Sequence, residues 1–63
     1  MRNCKAIINK LAFPLDGCMN YNVQLWYEFE NTYVYAGYGR YTQTLEQAEE
    51  FAKEYATVPI EYK

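Results

Sequence analysis

The chain has no histidine. That absence removes the commonest general base, the serine–histidine and cysteine–histidine nucleophile pairs, and most zinc sites. Cysteine is scarce as well, with Cys4 and Cys18 the whole supply. They are not spaced as C-x-x-C and are too few for the disulfide framework of a small secreted domain, so reduced thiols acting as small hydrophobes are expected. This set implies no metal and no cofactor. Three glycines and two prolines leave no linker or low-complexity tract. No apolar run approaches the roughly 20 residues of a membrane span. The stretch Cys4-Lys5-Ala6-Ile7-Ile8 is too short and too interrupted for a secretory signal, so a cytoplasmic protein without membrane contact is expected. Cations are few: six Lys and Arg stand against eight Asp and Glu, for a net charge of −2. Such a balance disfavours nonspecific binding to phosphate backbones and permits binding to a basic protein surface.

Aromatic rings are what the chain has in quantity, at 19% of 63 residues with eight tyrosines. A chain this short makes one domain, residues 1–63, and buries only about 60% of the surface its unfolded form exposes. Some rings must therefore lie at the surface, in an interface or on a binding face. Five of the tyrosines fall between Tyr27 and Gln43.

The clearest local signal is Thr44-Leu45-Glu46-Gln47, a capping box in which Thr44 accepts from a free backbone N–H and Gln47 reaches back. Leu45, Ala48, Phe51, Ala52 and Tyr55 then share one face, with Glu46, Glu49, Glu50, Lys53 and Glu54 opposite, which predicts an amphipathic helix over 45–56. Upstream, residues 23–30 and 33–42 alternate as strands, with Asn31-Thr32 as a two-residue hairpin turn. That turn would pair Phe29 with Val34, Tyr27 with Ala36 and Leu25 with Tyr38 on the side facing the helix. It would place Glu30 opposite Tyr33, Glu28 opposite Tyr35, Trp26 over Gly37, and Asn22 opposite Tyr41 on the reverse side. Tyr27 and Tyr38 are then core. Trp26, Tyr33, Tyr35 and Tyr41 form a second aromatic face, conditional on the register. Residues 58–62 read as a short final strand with Pro59 at its start or on an edge. The N-terminal segment fits a helix face (Met1, Cys4, Ile7, Ile8, Leu11) or a strand (Cys4, Ala6, Ile8); the β-branched pair Ile7-Ile8 and the turn-like Phe13-Pro14-Leu15-Asp16-Gly17 favour the strand. The expected fold is α+β: a small antiparallel sheet of N-terminal strand, central hairpin and short C-terminal strand, with one helix packed on one face.

Little in this layout points to catalysis. Glu28 and Glu30 stand at i, i+2 and could in principle act as acid and base, but such a pair needs a concave, partly dry pocket that so short a chain rarely builds. Gly37-x-Gly39 lacks the third glycine and the Lys-Ser/Thr of a phosphate loop and marks a bulge or a close backbone approach. Stacking of single-stranded nucleic acid on the rings would need cations along the backbone path, whereas Glu28 and Glu30 repel phosphate. Tyr, Trp and Arg dominate protein interfaces, because an aromatic ring adds large buried area at small entropic cost. The expectation is a non-enzymatic protein-binding chain, with Trp26, Tyr33, Tyr35 and Tyr41 as anchors and Glu28, Glu30 and Arg40 orienting the partner. Glu46, Glu49, Glu50 and Glu54 would form a further contact for a basic or nucleic-acid-binding groove. A homodimeric structural domain and a weak single-strand binder are the alternatives.

The hairpin, Gly-x-Gly and helix over 23–56 are distantly similar to the second half of the double-stranded RNA-binding domain, with the basic helix start of that family replaced by Leu45-Glu46-Gln47. In size, acidity and sheet-plus-helix layout the whole chain resembles the small inhibitor proteins that phages encode against host machinery, those of the anti-CRISPR type among them. The resemblance implies stoichiometric blocking of a larger complex in the host cytoplasm by surface contact, without chemistry.

Overall fold

The computed structural model describes residues 2–63, so Met1, a member of the alternative N-terminal helix face, lies outside the described residues. Three long strands follow one another: β1 (Cys4–Leu15), β2 (Met19–Phe29) and β3 (Thr32–Thr42). The helix α1 (Leu45–Tyr55) then crosses back, and β4 (Glu61–Tyr62) completes the sheet. The strand order is β3-β2-β1-β4. The fold is α+β, as the sequence leads one to expect, and the N-terminal segment is a strand. Because β3 runs in the direction of β1 and the helix returns the chain to its start, β4 enters parallel to β1, at Ile7–Glu61 and Ile8–Tyr62. The sheet is therefore mixed, and the final strand is shorter than the expected 58–62.

The helix forms where the cap chemistry places it. Thr44 is extended and its Oγ1 accepts from the Gln47 N–H at 3.2 Å. The Gln47 side chain reaches one residue further back than a standard box, accepting from the Gln43 N–H at 3.1 Å. Ala48, Phe51 and Ala52 turn inward and meet Cys4, Ala6 and Ile8 of β1 and Val23 and Leu25 of β2 to make the core. Thr57 ties the helix exit to β1: the Cys4 N–H donates to Thr57 Oγ1, and the Thr57 N–H to the Cys4 carbonyl, both at 2.8 Å.

The central hairpin turns one residue earlier than its sequence suggests. Glu30 and Asn31 carry positive φ (50° and 68°) and make the two-residue turn, so Phe29 pairs with Thr32 and Tyr27 with Val34. A mirror-image turn needs left-handed backbone at both central residues, and Asn31 suits its second position better than Thr32 does. Pairing then slips at Gly37, whose φ is +72°. Trp26 faces Tyr35 and Gln24 faces Gly39, so Ala36, Gly37 and Tyr38 together stand against Leu25. The bulge takes up two extra residues, an even number, and therefore preserves which side chains point to which face. Past it, Asn22 meets Tyr41 as expected.

Candidate docking face

α1 packs on one side of the sheet and β1 joins in the plane, so no described segment crosses the other side. β1 brings Lys5 and Ile7 to this reverse side, β2 brings Gln24, Trp26 and Glu28, and β3 brings Tyr33, Tyr35 and Tyr41. The Trp26 and Tyr35 rings lie 5.4 Å apart at 49°, a tilted pair of the kind aromatic quadrupoles favour. The Trp26 indole N–H is spent on Gln24 Oε1, at 3.4 Å. Tyr35 and Tyr41 remain 50% and 48% exposed, while Trp26 and Tyr33 are half-buried. Tyr33 owes its cover partly to Lys5, whose Nζ sits 4.7 Å from the ring centroid and 3.6 Å from Glu61 Oε1. An open groove of about 440 Å³ runs beside Trp26, Tyr33, Lys5 and Glu61. The surface is thus aromatic at its centre, with charges of both signs at its rim.

Several expected members sit elsewhere. Arg40 is on the opposite side: it pairs with Val23, a core residue, and its guanidinium lies 5.2 Å over the Phe51 ring. Alternation along β3 sends Arg40 to the helix side while its neighbours Gly39 and Tyr41 go to the reverse, so closeness in sequence to Tyr41 does not bring it to the aromatic face. Glu30 occupies the turn and extends from the hairpin tip instead of standing opposite Tyr33, so the Glu28–Glu30 strand-face pair does not form. Glu28 pairs with Tyr33, and its carboxylate accepts from Asn3 Nδ2 at 3.3 Å. Trp26 covers Tyr35 and not Gly37.

Tyr27 packs against the core as expected, whereas Tyr38 is half-exposed. It stacks on Phe51 (centroids 6.1 Å) and meets Tyr55 edge-on (6.0 Å), forming the rim of the core. An eleven-residue helix covers the middle strands and only grazes the edge strand, which leaves Phe29, Val34 and Ala36 exposed on the helix side too.

The glutamates of α1 divide. Glu49 accepts a hydrogen bond from the Tyr62 hydroxyl and so holds the C-terminal strand. That bond raises the tyrosine above its usual pKa. Glu46, Glu50 and Glu54 are exposed, and Glu50 and Glu54 share with Arg40 and Phe51 a groove of about 460 Å³ between α1 and β3. Arg40 is the one cation among the residues lining that groove. Cys4 is buried, and burial pushes its thiol pKa up; Cys18 is exposed at the β1–β2 turn, and both are free.

Lys5 is the residue of this face that composition and charge hid. Its signal lies in the alternation of β1: once Cys4, Ala6 and Ile8 are taken as core, Lys5 and Ile7 must point to the reverse side. No helix among the described residues is long and apolar enough to cross a membrane. No family model, curated protein or solved structure matches the chain.

Proposed function

We propose that this chain is a non-enzymatic binding domain that docks on a larger protein complex through the reverse face of its sheet and inhibits or modulates that complex by occupying its surface. The observation carrying this reading is that Trp26, Tyr33, Tyr35 and Tyr41 share one side of the sheet, with the Trp26 and Tyr35 rings in contact and no described segment packed across them. Rigid rings with two rotatable bonds lose little entropy on docking, and their hydroxyls still reach water or a polar partner. The rim of Lys5, Glu28 and Glu61 would set orientation and reject mismatched surfaces more than it adds affinity. Lys5 is already engaged by Tyr33 and Glu61, and Glu28 lies on the same side of the sheet opposite Tyr33, so the face offers no cationic track for a phosphate backbone. A protein surface is its better match. On the helix side, Glu46, Glu50 and Glu54 would make a secondary contact with a basic patch.

The test is a capture experiment in which tagged wild-type chain and the Tyr35→Ala/Tyr41→Ala double variant are compared against the same lysate. Both side chains are half-exposed, so the variant keeps its fold by circular dichroism. The expected result is one complex retained by the wild type and lost by the double variant, with retention intact for a change at the exposed helix residue Lys53, Lys53→Gln. Equal retention by both chains would refute the docking face.

A further inference from the structure

The two edges of the sheet are treated differently by the chain. β1 is covered along its first half by β4 and by Thr57, and its second half carries two devices that discourage strand addition, Lys10 and Pro14. β3 forms the other edge, and no strand lies against its outer side among the described residues. Its first five residues, Thr32-Tyr33-Val34-Tyr35-Ala36, have high strand propensity and contain no charge, proline or glycine. The bulge at Gly37 then bends the strand and ends the flat stretch.

We infer that residues 32–36 of β3 pair with the same segment of a second copy, antiparallel about a two-fold axis through Val34, to give an eight-stranded sheet. Beyond the protein-binding reading above, this assigns a separate surface with a second copy as its occupant. The segment is self-complementary: about that axis Val34 meets Val34 of the other copy on the helix side. Tyr33 meets Tyr35 on the reverse side, twice, and Thr32 meets Ala36. Every cross-strand pair is aromatic, β-branched or small, and no like charges face one another, the condition that favours pairing over repulsion. Val34 is 44% exposed, so the contact is free to form. A two-fold perpendicular to the sheet keeps both reverse faces on the same side, so the two Trp26–Tyr35 clusters would become one continuous aromatic surface. Five paired residues bury less than the roughly 1,200 Å² of a standard interface, so the dimer is weak and concentration-dependent.

Sedimentation of the wild-type chain over roughly 10 µM to 1 mM, the range of weak interfaces, should show the mass rising from 7.5 kDa toward twice that value. Val34→Lys and Val34→Glu, each alone, place like charges together at the axis and should stay monomeric; mixed in equal amounts they should associate again. Amide exchange at residues 32–36 of the wild-type chain is a readout that needs no variant, and it should slow as concentration rises. A wild-type chain monomeric throughout, a Val34→Lys chain that associates as the wild type does, or an equimolar mixture that stays monomeric overturns the inference. So does protection of 32–36 that appears only when another protein is added, which would assign the edge to strand addition by a partner. Loss of self-association in Val34→Lys with capture of the larger complex unchanged separates this edge from the aromatic face.

Discussion

Replacing Gly39 by alanine should cost more than the same change at Gly37, although only Gly37 has left-handed backbone. At Gly37 an added Cβ meets nothing within 4 Å, so the whole cost is conformational. An alanine held at φ near +72° loses about 1 kcal/mol, and asparagine, which tolerates that region, loses less. At Gly39 the backbone is ordinary, but an added Cβ would lie 2.6 Å from the Val23 carbonyl oxygen. That oxygen belongs to β2 beside the core and has no flexible side chain to yield, so β3 must shift outward. Overpacking of this kind costs about 1–3 kcal/mol. For a domain of this size each kcal/mol corresponds to about 4–8 °C in Tm, so Gly39→Ala should melt about 4–24 °C lower and Gly37→Ala about 4–8 °C lower. Thermal unfolding followed by circular dichroism measures both. A Gly39→Ala protein melting with the wild type, or one more stable than Gly37→Ala, would refute the close approach of β3 to β2 and the register that aligns Tyr41 with the aromatic face.

Other consequences follow from the same contacts. Thr44→Ala removes the acceptor for the Gln47 N–H and should cost about 1 kcal/mol in denaturant unfolding. Native-state alkylation followed by mass spectrometry should modify the exposed Cys18 and spare Cys4, which is 3% exposed and whose thiol burial makes harder to ionise. Tyr62 donates to Glu49, and its folded pKa is raised above 10.0. The stabilisation from this raised pKa is therefore complete below about pH 10 and is lost as pH rises through the folded value. Tyr62→Phe should flatten the alkaline fall in urea midpoint while lowering the midpoint near neutrality, and an unchanged alkaline limb would show that the hydroxyl contributes nothing.

Much of this architecture was legible in the sequence because it rests on local rules. The cap at Thr44, the apolar spacing through Phe51 and the alternation of residues 23–30 and 33–42 each obey one period, and the helix and strands form where those periods run. What sequence could not settle was where the hairpin turns, because Glu30-Asn31 and Asn31-Thr32 both contain the one residue that prefers left-handed backbone. The faces were nevertheless assigned as they occur, since the turn moved the pairing by an even count and the Gly37 bulge restored it. Arg40 was misplaced by grouping it with its sequence neighbours, where strict alternation sends it to Phe51. Lys5 was missed because its role depends on β1 lying beside β2, a contact between segments about twenty residues apart that no local pattern announces. Tyr38 ended at the rim because coverage by the helix depends on where α1 crosses the sheet, which its own spacing does not encode.

On the proposed reading, the reverse face of the sheet is free in the isolated chain and is the face that a partner covers. Hydroxyl-radical footprinting of the chain alone and in its captured complex reads this ring by ring. Trp26, Tyr33, Tyr35 and Tyr41 should be oxidised in the free chain and protected in the complex, while Tyr55 and Tyr62 on the helix side stay reactive in both. Protection confined to Tyr38, Tyr55 and Tyr62, with Tyr35 and Tyr41 still oxidised in the complex, would contradict it.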